Sequence, residues 1–257
     1  MAPWTAFSHS GDYTFDAARV KKHWSQLHAG DLETLPEDSA VLAAWALFHR
    51  GEFEKAAEAG LHAGQGGANV ANKATCVYAQ YLEPREKNRQ RLFLQVADRA
   101  AELAQAEPDN ANAFYWQAYA LGRYSQGISV AKALAQGVGG KIKAALESTI
   151  RLQPRHADAH VALGAFHAEV IDKVGTLIAN MTYGAKKDTS LNLFAQALSL
   201  NPDSAIAKIE YANALVILEG ENRMAEATEY YKQAAAMKAL DAAQHLDVEM
   251  AQTELAS

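Results

Sequence analysis

Three histidines within twelve residues are the first feature of this sequence that suggests chemistry. They are His156, His160 and His167, in the stretch PRHADAHVALGAFHAEVIDKVG at residues 154–175. If the stretch is helical, the four-residue spacing of His156 and His160 places two imidazoles on one helical face, as in a zinc-binding helix. A zinc site needs a third protein ligand, and none follows His160 at a zinc-binding spacing. The histidines are therefore either metal ligands or structural positions of a helix, and the surrounding elements must decide.

The run GVGGKIK at residues 137–143 is the second candidate. A phosphate-binding loop requires GxxxxGK followed by Ser or Thr. Ala135 stands at the first glycine position and Ile142 at the hydroxyl position, so the run is interpreted as a turn that opens a helix at about Lys141. Free N–H groups at such a helix start can still hold an anion. Since no GxSxG, HExxH or paired-cysteine motif occurs, we predict a protein that is not an enzyme, with no catalytic residues, metal or cofactor.

Composition narrows the class of protein. With 257 residues, 49% of them apolar, the chain can bury a large core, and its net charge of -6 argues against nucleic acid as a partner. The single cysteine, Cys76, excludes an internal disulfide framework. No leader peptide and no apolar run of membrane-spanning length is evident, which predicts a cytoplasmic protein that is not an integral membrane protein.

The sequence predicts an all-α fold. Alanine, leucine, glutamate and glutamine are frequent, and alternation of β-branched with polar residues is rare. Predicted helices before residue 108 run from Phe15 to Ala29, Glu37 to Arg50, Glu52 to His62, Asn69 to Leu82 and Glu86 to Gln105.

A repeating register begins at Pro108 and continues at Pro154 and Pro202, each of which ends an apolar helical run. The third and fifth residues after each proline are alanine. The tenth is always small, as Ala118, Gly164 and Ala212. A small residue at a fixed place allows close helix approach, so each unit is predicted to be a helical hairpin stacked on the next.

These residues resemble the tetratricopeptide repeat. The resemblance implies a right-handed superhelix of helical hairpins over residues 37–257, with residues 1–36 as an N-terminal extension that contributes one helix packed on the array. Asn110 and Ser204 match N-cap positions of first helices. Further units are expected at 40–63, 69–108 and 205–237, with a capping helix from Leu240 to Leu255.

Two units are longer than the usual repeat by about a dozen residues. The surplus lies in SQGISVAKALAQGVGG and IDKVGTLIANMTYGAKK, between the two helices of each hairpin. Residues 111–219 therefore resemble the regulator of microtubule dynamics family, whose units are elongated at this point. That resemblance implies association with microtubules, organelle contacts or phospholipid, and it brings no catalytic motif.

The register answers the question of the histidines. His156 falls in the N-cap position that Asn110 and Ser204 hold in the other units, whereas His160 and His167 fall where a first helix faces its partner helix. We therefore predict that all three histidines are structural rather than ligands of a metal.

The register also predicts binding positions. In tetratricopeptide arrays the second, fifth, ninth and twelfth residues of each first helix line the concave groove, which here assigns Asn112, Tyr115, Tyr119, Asp158 and Asn213 to the groove. An aromatic stripe of this kind is also typical of a core. A second group is the basic side chains of the elongated units, where a merely solvated face is the alternative interpretation. It consists of Arg123, Lys132, Lys141, Lys143 and Lys186.

The predicted function is a non-catalytic scaffold that presents its groove to a protein or peptide partner. The alternative is a carrier or sensor of an amphipathic anion such as a phospholipid or fatty acid, since the basic side chains accompany apolar residues such as Leu134 and Met181. An enzyme assembled from scattered histidines and acids is the third hypothesis.

Overall fold

The computed structural model describes residues 3–256, so residues 1, 2 and 257 of the predicted extension and repeat domain lie outside the described part. Within it the chain is helical and has no β-strand. The α-helices are α1 Ala17–Leu27, α2 Ser39–His49, α3 Phe53–His62, α4 Ala68–Val77, α5 Glu86–Ala106, α6 Ala111–Gln126, α7 Val130–Ala135, α8 Val138–Leu152, α9 Ala157–Val174, α10 Thr176–Tyr183, α11 Lys187–Leu200, α12 Ala205–Glu219, α13 Met224–Ala235 and α14 Ala242–Ala256. A π-helical turn, Tyr78–Leu82, extends α4.

The three prolines mark helix ends as predicted. Helices α5, α8 and α11 end two residues before Pro108, Pro154 and Pro202 respectively. The first helix that follows each proline is capped by a side chain that accepts a backbone N–H three residues on. Asn110 accepts from Ala113, His156 from Ala159, and Ser204 from Ala207. Each cap satisfies one of the N–H groups that a helix start leaves without an intrahelical partner.

The structure corrects the predicted start of α8. The helix begins at Val138 rather than at Lys141, and Gly137, with a φ of 62°, supplies the break before it. Val138, Ile142 and Leu146 are all buried, at a spacing of four residues. The additional N-terminal turn extends this apolar stripe to Val138. Burial of the stripe therefore outweighs the low helix propensity of the two glycines that the turn places inside the helix.

The chain divides into two compact units, which are described separately. Unit 1 comprises residues 3–28, 32–145 and 240–243, and unit 2 comprises residues 29–31, 146–239 and 244–256. The boundary predicted at residue 36 stays a prediction.

In unit 1, α2 packs on α3, α4 on α5 and α5 on α6, while α1 packs on α2. Its core is rich in aromatic rings. Trp45 lies edge-on to Trp24 and to Phe48, and the indole of Trp24 stacks on His28 at 4.1 Å between ring centroids. Such edge-on and stacked pairs stabilise a core beyond the apolar area that they bury.

In unit 2, α9 packs on α10, α11 and α12, and α12 packs on α13. The close approach of α9 to α11 occurs at Gly164, where an added Cβ would lie 2.9 Å from the ring of Phe194. The hydroxyl of Ser190 donates to the Gly164 carbonyl at 2.7 Å. The small tenth residue of this repeat is therefore a packing requirement, as the sequence predicted.

Both elongated units contain a short extra helix, α7 between α6 and α8 and α10 between α9 and α11. Among residues 3–256, no helix combines the length and apolar character that crossing a bilayer requires.

Candidate functional site

A buried polar site of unit 1 is built by residues at the starts of α4 and α6. Asn69 and Asn112 are each the second residue of their helix, and their amide groups converge on the carboxylate of Glu33. The Nδ2 atoms donate to Glu33 Oε2 at 3.0 Å from Asn69 and at 2.8 Å from Asn112. We call Asn69 and Asn112 the amide site. Both side chains are buried, so their donors need an acceptor there, and a carboxylate is the strongest acceptor among protein side chains.

Two further contacts fix the amide site and its occupant. The Oδ1 of Asn110, the N-cap of α6, lies 3.3 Å from Asn69 Nδ2, and Asn110 itself accepts the N–H of Ala113. On the other side, Trp24 Nε1 donates to the Glu33 carbonyl at 2.8 Å. The capping of α6 and the packing of α1 therefore determine where the carboxylate is held.

The predicted groove residues of α6 differ in accessibility. Asn112 and Tyr115 are buried, while Tyr119 and Arg123 are partly exposed. The rings of Tyr115 and Tyr119 lie 6.1 Å apart, and the Arg123 guanidinium lies 5.3 Å from the centroid of Tyr119. The aromatic stripe thus has a core half and a surface half, and a partner can touch Asn112 only if the Glu33 segment moves.

The predicted lysines of unit 1 lie at or near the surface. Lys132 and Lys141 are exposed and Lys143 is partly buried. The Lys132 ammonium lies 5.8 Å from the ring centroid of Tyr124, a cation–π contact that leaves the charge accessible. On α7 the apolar residues Val130 and Leu134 are exposed next to Lys132.

In unit 2 the predicted residues have separate environments. The Asp158 N–H donates to the Gly30 carbonyl at 3.2 Å, and a Cβ added at Gly30 would clash with the Asp158 carboxylate. Asn213 Oδ1 accepts from the Tyr231 hydroxyl at 2.5 Å. Lys186 is exposed, and its backbone N–H donates to His167.

The three histidines around α9 make contacts with the backbone. His156 Nδ1 accepts the N–H of Ala159 at 3.1 Å, which confirms its capping role. His160 Nε2 lies 2.9 Å from the Pro154 carbonyl, and His167 Nδ1 accepts the N–H of Lys186 at 3.1 Å. All three rings are buried. Each ring thus has a backbone partner, as expected of a structural histidine.

A buried acidic group shows how unit 1 satisfies charge. Glu83 accepts from the backbone N–H and Nε of Arg85, from Asn88 and from the Tyr78 hydroxyl. The hydrogen bond from Arg85 is the largest cause that lowers the pKa of Glu83 to about 2. By contrast, burial raises the pKa of the Cys76 thiol, which makes it a packing residue rather than a nucleophile.

Sequence reasoning missed Glu33 and Asn69 as site residues. A usable signal existed for Asn69, because it occupies the second place of α4 as Asn112 does in α6. No such signal marks Glu33, which lies outside any helix.

The paired helices and their caps define a class, the tetratricopeptide-like helical-repeat proteins. A crystal structure of a thermophilic TPR protein from Thermus thermophilus is similar at 15% sequence identity and a TM-score of 0.57, covering 85% of this chain and 100% of that chain. At that identity the likeness shows the fold alone.

The family is narrower than the fold. Residues 65–256 match the family described as Regulator of microtubule dynamics protein 1-3, and the chain belongs to that family. The match extends beyond the predicted 111–219 at both ends. No curated protein sequence matches the chain.

Proposed function

We propose that this protein is a non-catalytic binding scaffold whose stacked first helices form a superhelical groove for a protein or peptide partner. The observation that carries the proposal is the amide site, where α4 and α6 already hold a non-helical stretch of polypeptide through its carboxylate. Buried amides aligned along successive helices supply hydrogen bonds that an incoming peptide can use. The right-handed superhelix predicted from the sequence is part of this proposal.

The family name directs the choice of partner. The family is described as regulators of microtubule dynamics, so we place the partner among proteins associated with microtubules. Tyr119 and Arg123 are the accessible continuation of the amide site along α6, and an aromatic ring with an arginine beside it is typical of the residues that dominate interface energies.

Site-specific photo-crosslinking tests the scaffold. A photoreactive residue in place of Tyr119, in the full chain in its native host, should give a discrete protein adduct. The control carries the same residue in place of Lys55, an exposed position of α3. An identical adduct pattern at both positions, or no adduct at Tyr119, would contradict the groove as the binding surface.

A second candidate function, a carrier or sensor of an amphipathic anion, has its own supporting observation. On α10, Leu177, Ile178 and Met181 are 72%, 56% and 79% exposed. Three large apolar side chains on one short surface helix, with Lys186 following, suit an acyl chain beside an anionic head group. Native mass spectrometry of freshly purified protein separates the two functions, because a bound lipid and a bound protein differ in mass.

A further inference from the structure

The Glu33 segment occupies the amide site much as a ligand would. Glu33 lies outside any helix and reaches residues that are 36 and 79 positions away in the sequence. Asn69 and Asn112 are buried, so the occupant removes both amides from water. The two amides would donate the same hydrogen bonds to a carboxylate from another chain.

The backbone beside the occupant is strained. Leu32 has a φ of 47°, and it is the one non-glycine residue with a positive φ among residues 3–256. A bulky L residue adopts this left-handed conformation only when its surroundings impose it, and such strain is typical of clamps and switches. The Leu32 N–H donates to the His28 carbonyl at 2.9 Å, so the strained residue lies directly between the end of α1 and the occupant.

Resting on the proposed scaffold function, we propose that the amide site binds an acidic side chain of the partner's peptide segment and that Glu33 occupies the site in the free protein as an internal competitor. The occupant fixes the ligand chemistry: a carboxylate on an extended stretch, whose neighbouring carbonyl can accept the Trp24 indole N–H. The apparent affinity for the partner then equals the intrinsic affinity multiplied by the fraction of molecules in which Glu33 has left the site.

Fluorescence anisotropy with a labelled peptide of residues 30–38, GDLETLPED, tests the site directly. The full-length Glu33→Ala protein should bind this peptide roughly tenfold more tightly than the wild type, because its amide site is open. Glu37→Ala is the matched control, since Glu37 is an exposed acid of the same segment. The same peptide with Glu33→Ala should not bind. Equal affinity of the original peptide for the wild type, the Glu33→Ala protein and the Glu37→Ala protein would overturn the proposal.

Hydrogen exchange on the wild type keeps the test valid if the Glu33→Ala protein does not fold. Excess unlabelled peptide should accelerate amide exchange at residues 32–35, and unchanged exchange at saturation contradicts competition. A wild-type dimer in light scattering would assign the site to a second copy of the chain and would also overturn the proposal. If the peptide does not bind any of the proteins but the Tyr119 crosslink to a partner is still seen, the amide-site proposal is refuted and the scaffold proposal is not. Peptide binding without that adduct supports the site and refutes the scaffold.

Discussion

Replacing Gly164 by alanine should destabilise the protein although alanine is the better helix former. An added Cβ would lie 2.9, 3.0 and 3.3 Å from three atoms of the Phe194 ring. That ring has no room to move, because it is fully buried and stacks on Tyr211 at 5.2 Å. Overpacking of this kind costs roughly 1–3 kcal/mol, against a gain of about 0.5–1 kcal/mol from replacing a mid-helix glycine.

Gly122 provides the matched control. It lies within α6, and an added Cβ there meets nothing within 4 Å. Gly122→Ala should therefore stabilise the protein by about 0.5–1 kcal/mol. Because both variants gain the same helix propensity, the difference between their free energies of unfolding isolates the contact with Phe194. That difference should be about 1–3 kcal/mol.

Urea unfolding followed by circular dichroism gives the free energy of unfolding of both variants. In thermal melts, each kcal/mol of change in stability should shift the melting temperature by about 2–4 °C. Equal changes in the two free energies of unfolding would mean that Phe194 yields without cost. The small tenth residue of the repeat would then have no role in holding α9 against α11.

Acid, charge reversal and zinc each test one further feature. The pKa of Glu83 is lowered to about 2, so its contribution is present above the unfolded value near 4.5 and is lost as pH falls toward 2. In the Glu83→Gln variant, the free energy of unfolding measured with urea should depend less on pH in this acid range. An unchanged pH dependence would contradict this contribution of Glu83. Joint reversal of Lys132, Lys141 and Lys143 to glutamate should weaken salt-sensitive binding to anionic phospholipid vesicles and leave the melting temperature nearly unchanged. Unaltered vesicle binding would remove these lysines from the second candidate function. Calorimetric titration should find no submicromolar zinc site at the three histidines around α9, because their rings already bond the backbone. A tight zinc site that disappears when these histidines are replaced would refute their structural role.

The repeat helices were predictable because their signals are local. A proline two residues beyond a helix end, a capping side chain and a small tenth residue all act within a few positions of the bonds that they control. His156 shows the strength of this reasoning, since its place in the register predicted a cap where its spacing alone suggested a metal ligand.

The occupant of the amide site was not predictable in the same way. Glu33 belongs to a short polar stretch that also contains Asp31 and Glu37, and no periodicity separates a carboxylate that enters a site from one that remains solvated. Its partners lie 36 and 79 residues away. Glu33 is selected by its contacts with Trp24 and with the two amides, and the amides come close only when the helices have packed.

An internal competitor constrains the partner that can displace it. A tethered ligand on a short linker acts at an effective concentration on the order of millimolar, so a partner at micromolar concentration that offers only the same carboxylate loses the competition. Leu32, the residue before Glu33, has a left-handed backbone conformation that is costly for a bulky side chain. A partner that displaces Glu33 must therefore gain binding free energy from contacts that Glu33 does not make. Tyr119 and Arg123 are accessible on the same helix, so the partner we expect combines an acidic residue with a group that packs on this aromatic and arginine pair.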